Sequence, residues 1–283
     1  MSRKFRTAGL VSRVDREEAL NLSSEVIEYL EKSGVKVSIE LELAKKLGHR
    51  NLGVSIENMN VDFVVVVGGD GTILRTCLSL PKPEPPILAV NMGLRGFLTD
   101  VLPKNALRAI ERLLKGEFIV EKHSKLASFM NDERLPDALN EVFVTADLPV
   151  KIMHARIWKN KTLVGEAQAD GFMVASQVGS TGYSLSAGGP VLDPQLEAFV
   201  LTPVCALTTF HPIVFPSNCK LTIEVVKPKT ISVVIDGHYR KFVEAENLRV
   251  VVGRSEHETR FIRFKEDFYQ RLKNRLLFSG GIY

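Results

Sequence analysis

Residues 68–72 read Gly-Gly-Asp-Gly-Thr, and these residue types could bind phosphate and move a proton. Glycines let backbone N–H groups approach an anion closely, and such groups at a helix start bind phosphate. A carboxylate in such a loop would repel its ligand unless it binds a cation or accepts a proton from an attacking hydroxyl. Asp70 is therefore a candidate catalytic base. A plain strand–turn–helix connection with Asp70 as a cap is the alternative, which the tetrad alone leaves open.

The element that must position this loop is the strand predicted over 61–67, whose unbroken apolar run 63–67 is typical of a buried parallel strand. Sheets of this class bind ligands beyond the carboxyl ends of their strands. We expect Thr72 to cap a helix over 73–80 and Ile87–Asn91 to form the next strand. The segment 91–93 should then lie beside the glycine loop. Strand and helix signals alternate up to about residue 116, which predicts an α/β domain with a parallel sheet.

The pattern changes near residue 120, where short β-rich runs begin to follow one another. Asn160-Lys161 and Asp236-Gly237 stand where hairpin turns belong, so this region predicts a mostly antiparallel β domain. The closing segment, 264–278, is basic and helix-like, and we expect it to return to the first domain. The predicted division is an α/β domain over 1–120 and 258–283 and a β-rich domain over 121–257.

Composition sets the broad class of the protein. The chain has 283 residues, a net charge of +4 and a pI of about 8.9, which suits an anionic small molecule as well as a polynucleotide. The longest apolar runs are too short for a membrane span and the N-terminus lacks a signal-peptide core, so we expect a cytoplasmic protein with no membrane partner. The 3 cysteines indicate neither a disulfide framework nor a zinc site.

Three further stretches could carry chemistry. Asn140-Glu141 opens a strand and could bind a purine edge or ribose hydroxyls, although a solvated strand end is favoured when the pair is read in isolation. The segment 170–190 contains five glycines, five serines or threonines and Tyr183, which favours a ligand loop over a flexible linker. For the segment 236–238, a simple hairpin turn is at least as good a reading as a binding role.

In combination, these motifs resemble the NAD kinases: GGDGT (68–72), NMGLRGF (91–97), NE (140–141), GSTGYSLSAGGP (179–190) and DG (236–237). The resemblance implies a phosphofructokinase- or diacylglycerol-kinase-like α/β domain followed by a β-rich domain. It implies phosphoryl transfer from ATP or polyphosphate to the adenosine-ribose 2′-hydroxyl of NAD, with a divalent metal cation, expected to be Mg²⁺. It also implies a homodimer or homotetramer and no nucleic-acid partner.

Carried over residue by residue, the resemblance makes Asp70 the acceptor of the hydroxyl proton and leaves the metal ligands unassigned. The phosphate-donor loop would comprise Gly68, Gly69, Gly71, Thr72 and Arg75. The NAD-binding residues would be Asp70, Gly71, Asn140, Glu141, Lys151, Gln168, Asp170, Val178, Thr181, Gly182, Tyr183, Ser184, Leu185, Ser186 and His238.

The chain departs from the family pattern at a few positions and leaves two rival functions open. Gln177, Val178 and Gly182 replace the commoner Pro, Thr and Ala, and Arg95 stands at a usually apolar place, where a surface or subunit contact is the simplest interpretation. A lipid kinase would share the GGDGT loop without needing the NE and GSTGYSLSAGGP motifs. A non-catalytic NADP-binding regulator would have no use for Asp70. The phosphoryl donor, the choice between NAD and NADH and the subunit number stay open.

Overall fold

A computed structural model describes residues 5–93, 96–148, 151–207, 209–244, 248–265 and 268–276. The chain divides into two units, residues 1–122 with 259–283 and residues 123–258. Among the described residues, no helix is both long and apolar enough to cross a membrane.

Up to residue 134 the strands are β1 (Thr7–Ser12), β2 (Lys36–Glu40), β3 (Gly53–Val54), β4 (Phe63–Gly68), β5 (Ile87–Asn91), β6 (Ile119–Met130) and β7 (Glu133–Arg134). The helices in this part are α1 (Glu17–Lys32), α2 (Leu41–Leu47), α3 (Asp70–Ser79) and α4 (Ala106–Lys115). The later strands are β8 (Glu141–Ala146), β9 (Met153–Lys159), β10 (Thr162–Ala169), β11 (Gly171–Ala175), β12 (Ala198–Val204), β13 (Ile213–Pro216), β14 (Leu221–Lys227), β15 (Thr230–Ile235), β16 (Tyr239–Glu244) and β17 (Arg249–Arg263). The later helices are α5 (Tyr183–Ser186) and α6 (Phe268–Leu276).

The first unit is built on a parallel sheet in the order β3-β2-β1-β4-β5, and Phe261 at the end of β17 pairs in parallel with Ile87. Every residue of β4 is buried, which the unbroken valine run requires because both faces of the strand are covered. Phe63, Val65 and Val67 join a core with the apolar faces of α1, α2 and α4. The helix α3 packs against β4 and β1.

The second unit is antiparallel throughout its two main sets of strands. One set runs β13-β12-β11-β8-β15-β16, and the other pairs β10 with β9, β9 with β14, and β14 with β17. The β15–β16 hairpin turns at Asp236 and Gly237, whose φ angles of 50° and 69° are those of the left-handed region. The strand β8, which Glu141 opens, lies between β11 and β15.

The predicted fold class, a parallel α/β domain and a mostly antiparallel β-rich domain, is confirmed. One local prediction was wrong: Thr72 does not cap a helix over 73–80. The helix α3 begins three residues earlier, at Asp70, with Gly69 in the cap position and no side-chain cap bond. The strands β3, β6, β7, β12 and β13 were not predicted, and β16 was implied only by the hairpin turn. Of the predicted closing helix, 264–265 are not helical, 268–276 is helical, and 266–267 and 277–278 lie outside the described residues.

Candidate active site

The glycine loop joins the buried end of β4 to the first turn of α3. A Cβ atom on Gly68 would lie 2.3 Å from Thr72 Oγ1, so no side chain fits at this position. At Gly69, by contrast, a Cβ would meet no atom within 4 Å, and the backbone there is open on one side. A Cβ on Gly93 would be 3.4 Å from Asn91 Oδ1 and 4.0 Å from Gly69 Cα, which confirms that the 91–93 segment lies beside the loop. Open backbone at a helix start suits an anion.

The Asp70 carboxylate is held by backbone donors from a segment far along the chain. Its Oδ2 accepts a hydrogen bond from the Phe97 N–H at 2.9 Å, and its Oδ1 accepts one from the Leu98 N–H at 3.0 Å. A Cβ on Gly96 would be 1.7 Å from Thr99 Oγ1 and 3.3 Å from Asp70 Oδ1, so the close approach of this segment needs glycine. Arg95 lies outside the described residues.

Arg75, assigned by resemblance to the phosphate-donor loop, has a protein partner that sequence reasoning missed. Its guanidinium forms a two-pronged ion pair with Glu40, whose carboxylate is buried. The hydrogen bond to Glu40 raises the pKa of Arg75. The pair links α3 to the end of β2, so Arg75 supports the position of the helix that carries Asp70.

In the second unit, Asp236 clamps the backbone that leads into β8. Its carboxylate oxygens accept hydrogen bonds from the N–H groups of Leu139 at 2.7 Å, Asn140 at 2.8 Å and Glu141 at 3.0 Å. The side chain is buried, and this burial raises the pKa of Asp236 against the lowering effect of its three backbone donors. The sequence suggested only a hairpin turn or ligand contact here, because the clamp joins residues about a hundred positions apart.

The side chains of Asn140 and Glu141 each carry a buried polar atom whose hydrogen-bonding capacity is not satisfied within the described part of the protein. Asn140 Oδ1 and Glu141 Oε2 are buried and have no hydrogen-bond partner among the described residues. A Cβ on Gly182 would lie 3.3 Å from Asn140 Nδ2 and 3.6 Å from Glu141 Oε2, so all three predicted residues meet at one place. Burial, with the Asp236 charge second, raises the pKa of Glu141 to about 8. Unsatisfied buried polar atoms of this kind are typical of a ligand site.

The loop that follows β11 uses most of its hydroxyl groups internally. Thr181 Oγ1 donates to the Val178 carbonyl at 2.9 Å, and Ser184 Oγ is 2.8 Å from Thr202 Oγ1. Val178, Thr181 and Ser184 are all buried, so their side chains shape the loop, whereas Leu185 is half-buried and Ser186 is exposed. The Tyr183 side chain is 47% exposed, and its ring meets the Phe143 ring edge-on at 5.7 Å.

A cavity of about 410 Å³ opens within the second unit beside Tyr183. It brings together three predicted residues, Lys151, Asp170 and Tyr183. Its other lining residues are Phe143, Thr145, Ala146, Asp147, Leu148, Val204, Ser232, Val234 and Arg240. Gln168 and His238 do not line it: Gln168 is exposed on β10, and the exposed His238 places Nδ1 2.8 Å from the Asp236 carbonyl.

Sequence reasoning missed the polar group on one wall of this cavity. Arg240 donates from Nη2 to Asp147 Oδ1 at 2.7 Å and from Nε to Ser232 Oγ at 3.0 Å. Ser232 Oγ in turn donates to Asp147 Oδ1 at 2.9 Å. The only signal in the sequence was the alternation of polar and apolar residues in the 230–244 hairpin, which places these polar residues on one face but not beside Asp147.

No group of three or more His, Cys, Asp or Glu side chains within the described ranges is arranged to hold a metal ion. A kinase does not need such a cage, because Mg²⁺ is usually bound by one or two carboxylates together with substrate phosphates. The unpartnered oxygen of Glu141 is compatible with such a partial site.

Comparison with known proteins identifies the family of the chain. A family model described as the ATP-NAD kinase N-terminal domain matches residues 8–118, and one described as the ATP-NAD kinase C-terminal domain matches residues 139–264. The chain belongs to the NAD kinase family. It is 39% identical over 277 residues to the NAD kinase of Methanothermobacter thermautotrophicus, and the match covers 97% of each protein.

Two solved structures resemble the chain. The NAD kinase of Archaeoglobus fulgidus, solved in complex with ATP, is 32% identical, covers 97% of this chain and 100% of its own, and has a TM-score of 0.78. Yeast NADH kinase, complexed with NADH, shares the fold with a TM-score of 0.90 at 20% identity, covering 100% of this chain and 90% of its own. Membership in the family makes the protein a phosphotransferase with an alcohol group as acceptor. A lipid kinase does not fit that membership, and the intact Asp70 argues against a non-catalytic regulator.

Proposed function

We propose that this NAD kinase phosphorylates the 2′-hydroxyl of the adenosine ribose of NAD, giving NADP, with ATP or polyphosphate as donor. The 2′-oxygen forms the new bond to the terminal phosphorus, and the bond from that phosphorus to its bridging oxygen breaks. ADP, or a polyphosphate shorter by one unit, leaves. Asp70 accepts the hydroxyl proton. The observation that carries this proposal is a carboxylate held by two backbone N–H groups at the start of α3, beside open glycine backbone.

The first unit would supply the donor side of the reaction. The backbone of Gly68, Gly69 and Gly71 would lie along the donor phosphates, with the helix start attracting their charge. Thr72 lies in the first turn of α3 and Arg75 one turn further, where its pairing with Glu40 makes direct phosphate binding a secondary role. The Archaeoglobus relative bound to ATP supports ATP as the donor.

The second unit would supply the NAD side. Tyr183 and Phe143 offer apolar surface to a flat ring, and Lys151 and Arg240 offer positive charge for the diphosphate. Asp170 would accept from hydroxyl or amide groups of the dinucleotide. Backbone and exposed atoms of Gly182, Leu185 and Ser186 would complete the loop. Gln168 and His238 would act only at the edge of this site, because neither lines the cavity.

Asn140 and Glu141 would recognise ribose hydroxyls. Their buried, unpartnered oxygens cost free energy until a ligand donates to them, and a ribose supplies two hydroxyl donors. An acceptor without those hydroxyls would leave both atoms unsatisfied, at about 1–3 kcal/mol each. The same residues therefore favour a dinucleotide over a lipid headgroup.

We also propose Mg²⁺ as the divalent cation, and its protein ligands stay unassigned. When bound, the cation would neutralise phosphate charge during transfer.

A single assay tests the function. The purified protein is incubated with NAD and Mg²⁺, with ATP and polyphosphate supplied in separate reactions, and NADP is followed with an NADP-specific dehydrogenase. NADP formation with either donor supports the proposal and identifies the donor. Product phosphorylated at another position, detected by NMR of phosphorus, would overturn the assignment of the 2′-hydroxyl. A parallel reaction with diacylglycerol should give no product.

The expected assembly, a homodimer or homotetramer, stays a prediction, and light scattering of the purified protein would measure it. The predicted domain division also stays a proposal. We infer that 1–120 with 258–283 acts as the donor domain and that 121–257 acts as the NAD domain. A cytoplasmic location likewise stays an expectation from the sequence.

A further inference from the structure

Leu98 connects the Asp70 carboxylate to a buried arginine. Its N–H donates to Asp70 Oδ1 at 3.0 Å, and its carbonyl accepts from Arg263 Nη1 at 2.8 Å. Arg263 is the last residue of β17, within the first unit. One residue of backbone therefore separates the guanidinium from the carboxylate that we propose as the base.

Arg263 is itself held from several sides. It is 1% exposed, its Nε donates to Glu121 Oε2 at 2.6 Å, and its Nη1 lies 3.3 Å from Asp100 Oδ1. The guanidinium also lies over the Phe261 ring at 4.7 Å. A guanidinium presents its donors in a rigid planar fork, so these contacts determine both its position and its orientation.

The second donor to Asp70 is supported by the same C-terminal segment. Phe97, whose N–H binds Asp70 Oδ2, meets the Phe268 ring of α6 edge-on at 5.6 Å. Arg271 of α6 donates to Glu121 Oε1 at 3.0 Å and lies 5.8 Å from the centre of the Phe97 ring. Glu121 is thus shared by Arg263 and Arg271, and Arg263 also donates to the Leu98 carbonyl.

We propose that Arg263 is a positioning residue that orients the Asp70 carboxylate through the backbone of Leu98. This inference rests on the proposed role of Asp70 as the base. A buried ion cluster rarely stabilises a protein more than well-packed apolar residues would, so stability is a weak reason for placing an arginine here. The guanidinium fork is suited to holding the Leu98 carbonyl and the Glu121 carboxylate at a fixed mutual geometry.

The test is Arg263→Lys in the full-length enzyme. Lysine keeps the charge next to Glu121 and so limits the damage to folding, but its single ammonium cannot reproduce the fork toward both Glu121 and Leu98. We expect turnover to fall about tenfold while the KM values for NAD and ATP stay within about twofold, because a misplaced catalytic group slows the chemical step. Normal turnover, or a loss carried by KM, would overturn the proposal.

The matched control is Thr259→Val on the same strand. Thr259 is fully buried and donates from Oγ1 to Glu84 Oε2 at 2.6 Å, so its loss should lower the melting temperature without changing turnover. An equal fall in turnover for this variant would mean that general loosening of the unit, rather than Arg263, explains the effect.

A double-mutant comparison separates the positioning role of Arg263 from the proposed role of Asp70 as the base. In an Asp70→Asn background, Arg263→Lys should cause no further loss of turnover, because it acts only through the base. An additional tenfold loss in that background would contradict action through Asp70. If Asp70→Asn alone keeps normal turnover, the proposed function of Asp70 fails. If Asp70→Asn is slow but Arg263→Lys is not, only the positioning role fails.

Discussion

The two units each present a carboxylate to a candidate ligand, but they prepare it in opposite ways. The N–H groups of Phe97 and Leu98 hold Asp70, and the Leu98 carbonyl is itself held by Arg263 within the first unit. Glu141 has a buried oxygen with no partner in the described chain and a pKa raised to about 8. The first arrangement is complete before any ligand arrives. The second is completed by a ligand, which is why we assign proton transfer to Asp70 and recognition to Glu141.

The largest expected effect comes from Asp70→Asn. The amide cannot accept the hydroxyl proton, so turnover should fall by roughly 10²- to 10⁴-fold, the range for loss of a general base, while the KM for NAD stays within a few-fold. Steady-state kinetics measure both quantities. Asp15→Asn, an exposed carboxylate paired with Arg13 in the same unit, is the control and should behave as wild type. Near-normal turnover of the Asp70 variant would show that Asp70 is not the base and would remove the functional contrast between Asp70 and Glu141.

Glu141→Gln tests the second carboxylate through pH. Burial raises the pKa of Glu141 from 4.5 to about 8, so the folded enzyme binds this proton more tightly than the unfolded chain does. The protonated Glu141 therefore stabilises the folded state fully at a pH below the pKa of the unfolded state. This stabilisation is lost as the pH rises through the pKa of the folded state. Relative to the Gln variant, the wild-type free energy of unfolding should therefore fall by about 3 kcal/mol between about pH 5 and pH 8.

Urea unfolding of both proteins, without NAD or metal, measures this difference. Asp236 is close enough to titrate together with Glu141, so the quantity compared is the gap between wild type and variant at each pH. A gap that does not change with pH would show that Glu141 titrates normally and is not held in a buried, unpaired state.

Asp236→Asn should destabilise the second unit where the Asp236 carboxylate holds the backbone of Asn140 and Glu141. The amide offers one acceptor oxygen where the carboxylate has two, so at least one of three buried N–H groups loses its bond. We expect a loss of about 2 kcal/mol in the free energy of unfolding and a raised KM for NAD. The exposed Asp132→Asn is the control. A change in KM for ATP alone would mean that the clamp does not serve the NAD side.

The smallest expected effect belongs to Tyr183→Ala. Its half-exposed ring, set edge-on against Phe143, should contribute about 1–2 kcal/mol to NAD binding through aromatic contact. Calorimetric titration with NAD measures this loss, and donor affinity should move less. Leu163→Ala on β10 removes an equally exposed apolar side chain of the same unit that does not line the cavity, and should leave binding unchanged. Equal losses from both variants would argue against a specific role for Tyr183.

Local sequence patterns were sufficient to predict the features that depend only on neighbouring residues in the chain. The valine run of β4, its glycine loop and the Asp236-Gly237 hairpin could all be predicted, because burial periodicity and left-handed turn residues act over a few positions. The start of α3 was predicted three residues late, because Thr72 is a good capping residue but Gly69 is the one in the extended conformation that a cap requires.

What only the tertiary structure decided is the set of partners that each functional side chain receives. Asp70 meets Phe97 and Leu98, and Asp236 meets the peptides that lead into β8, because β-sheet topology brings distant segments together. Arg263 reaches Leu98 across a separation of 165 residues. Sequence spacing carries no record of such contacts, since the hydrogen bonds that orient a side chain depend on where the sheet places its strands. The sequence by itself determined the chemistry available, and the fold decided which groups are held ready and which await a ligand.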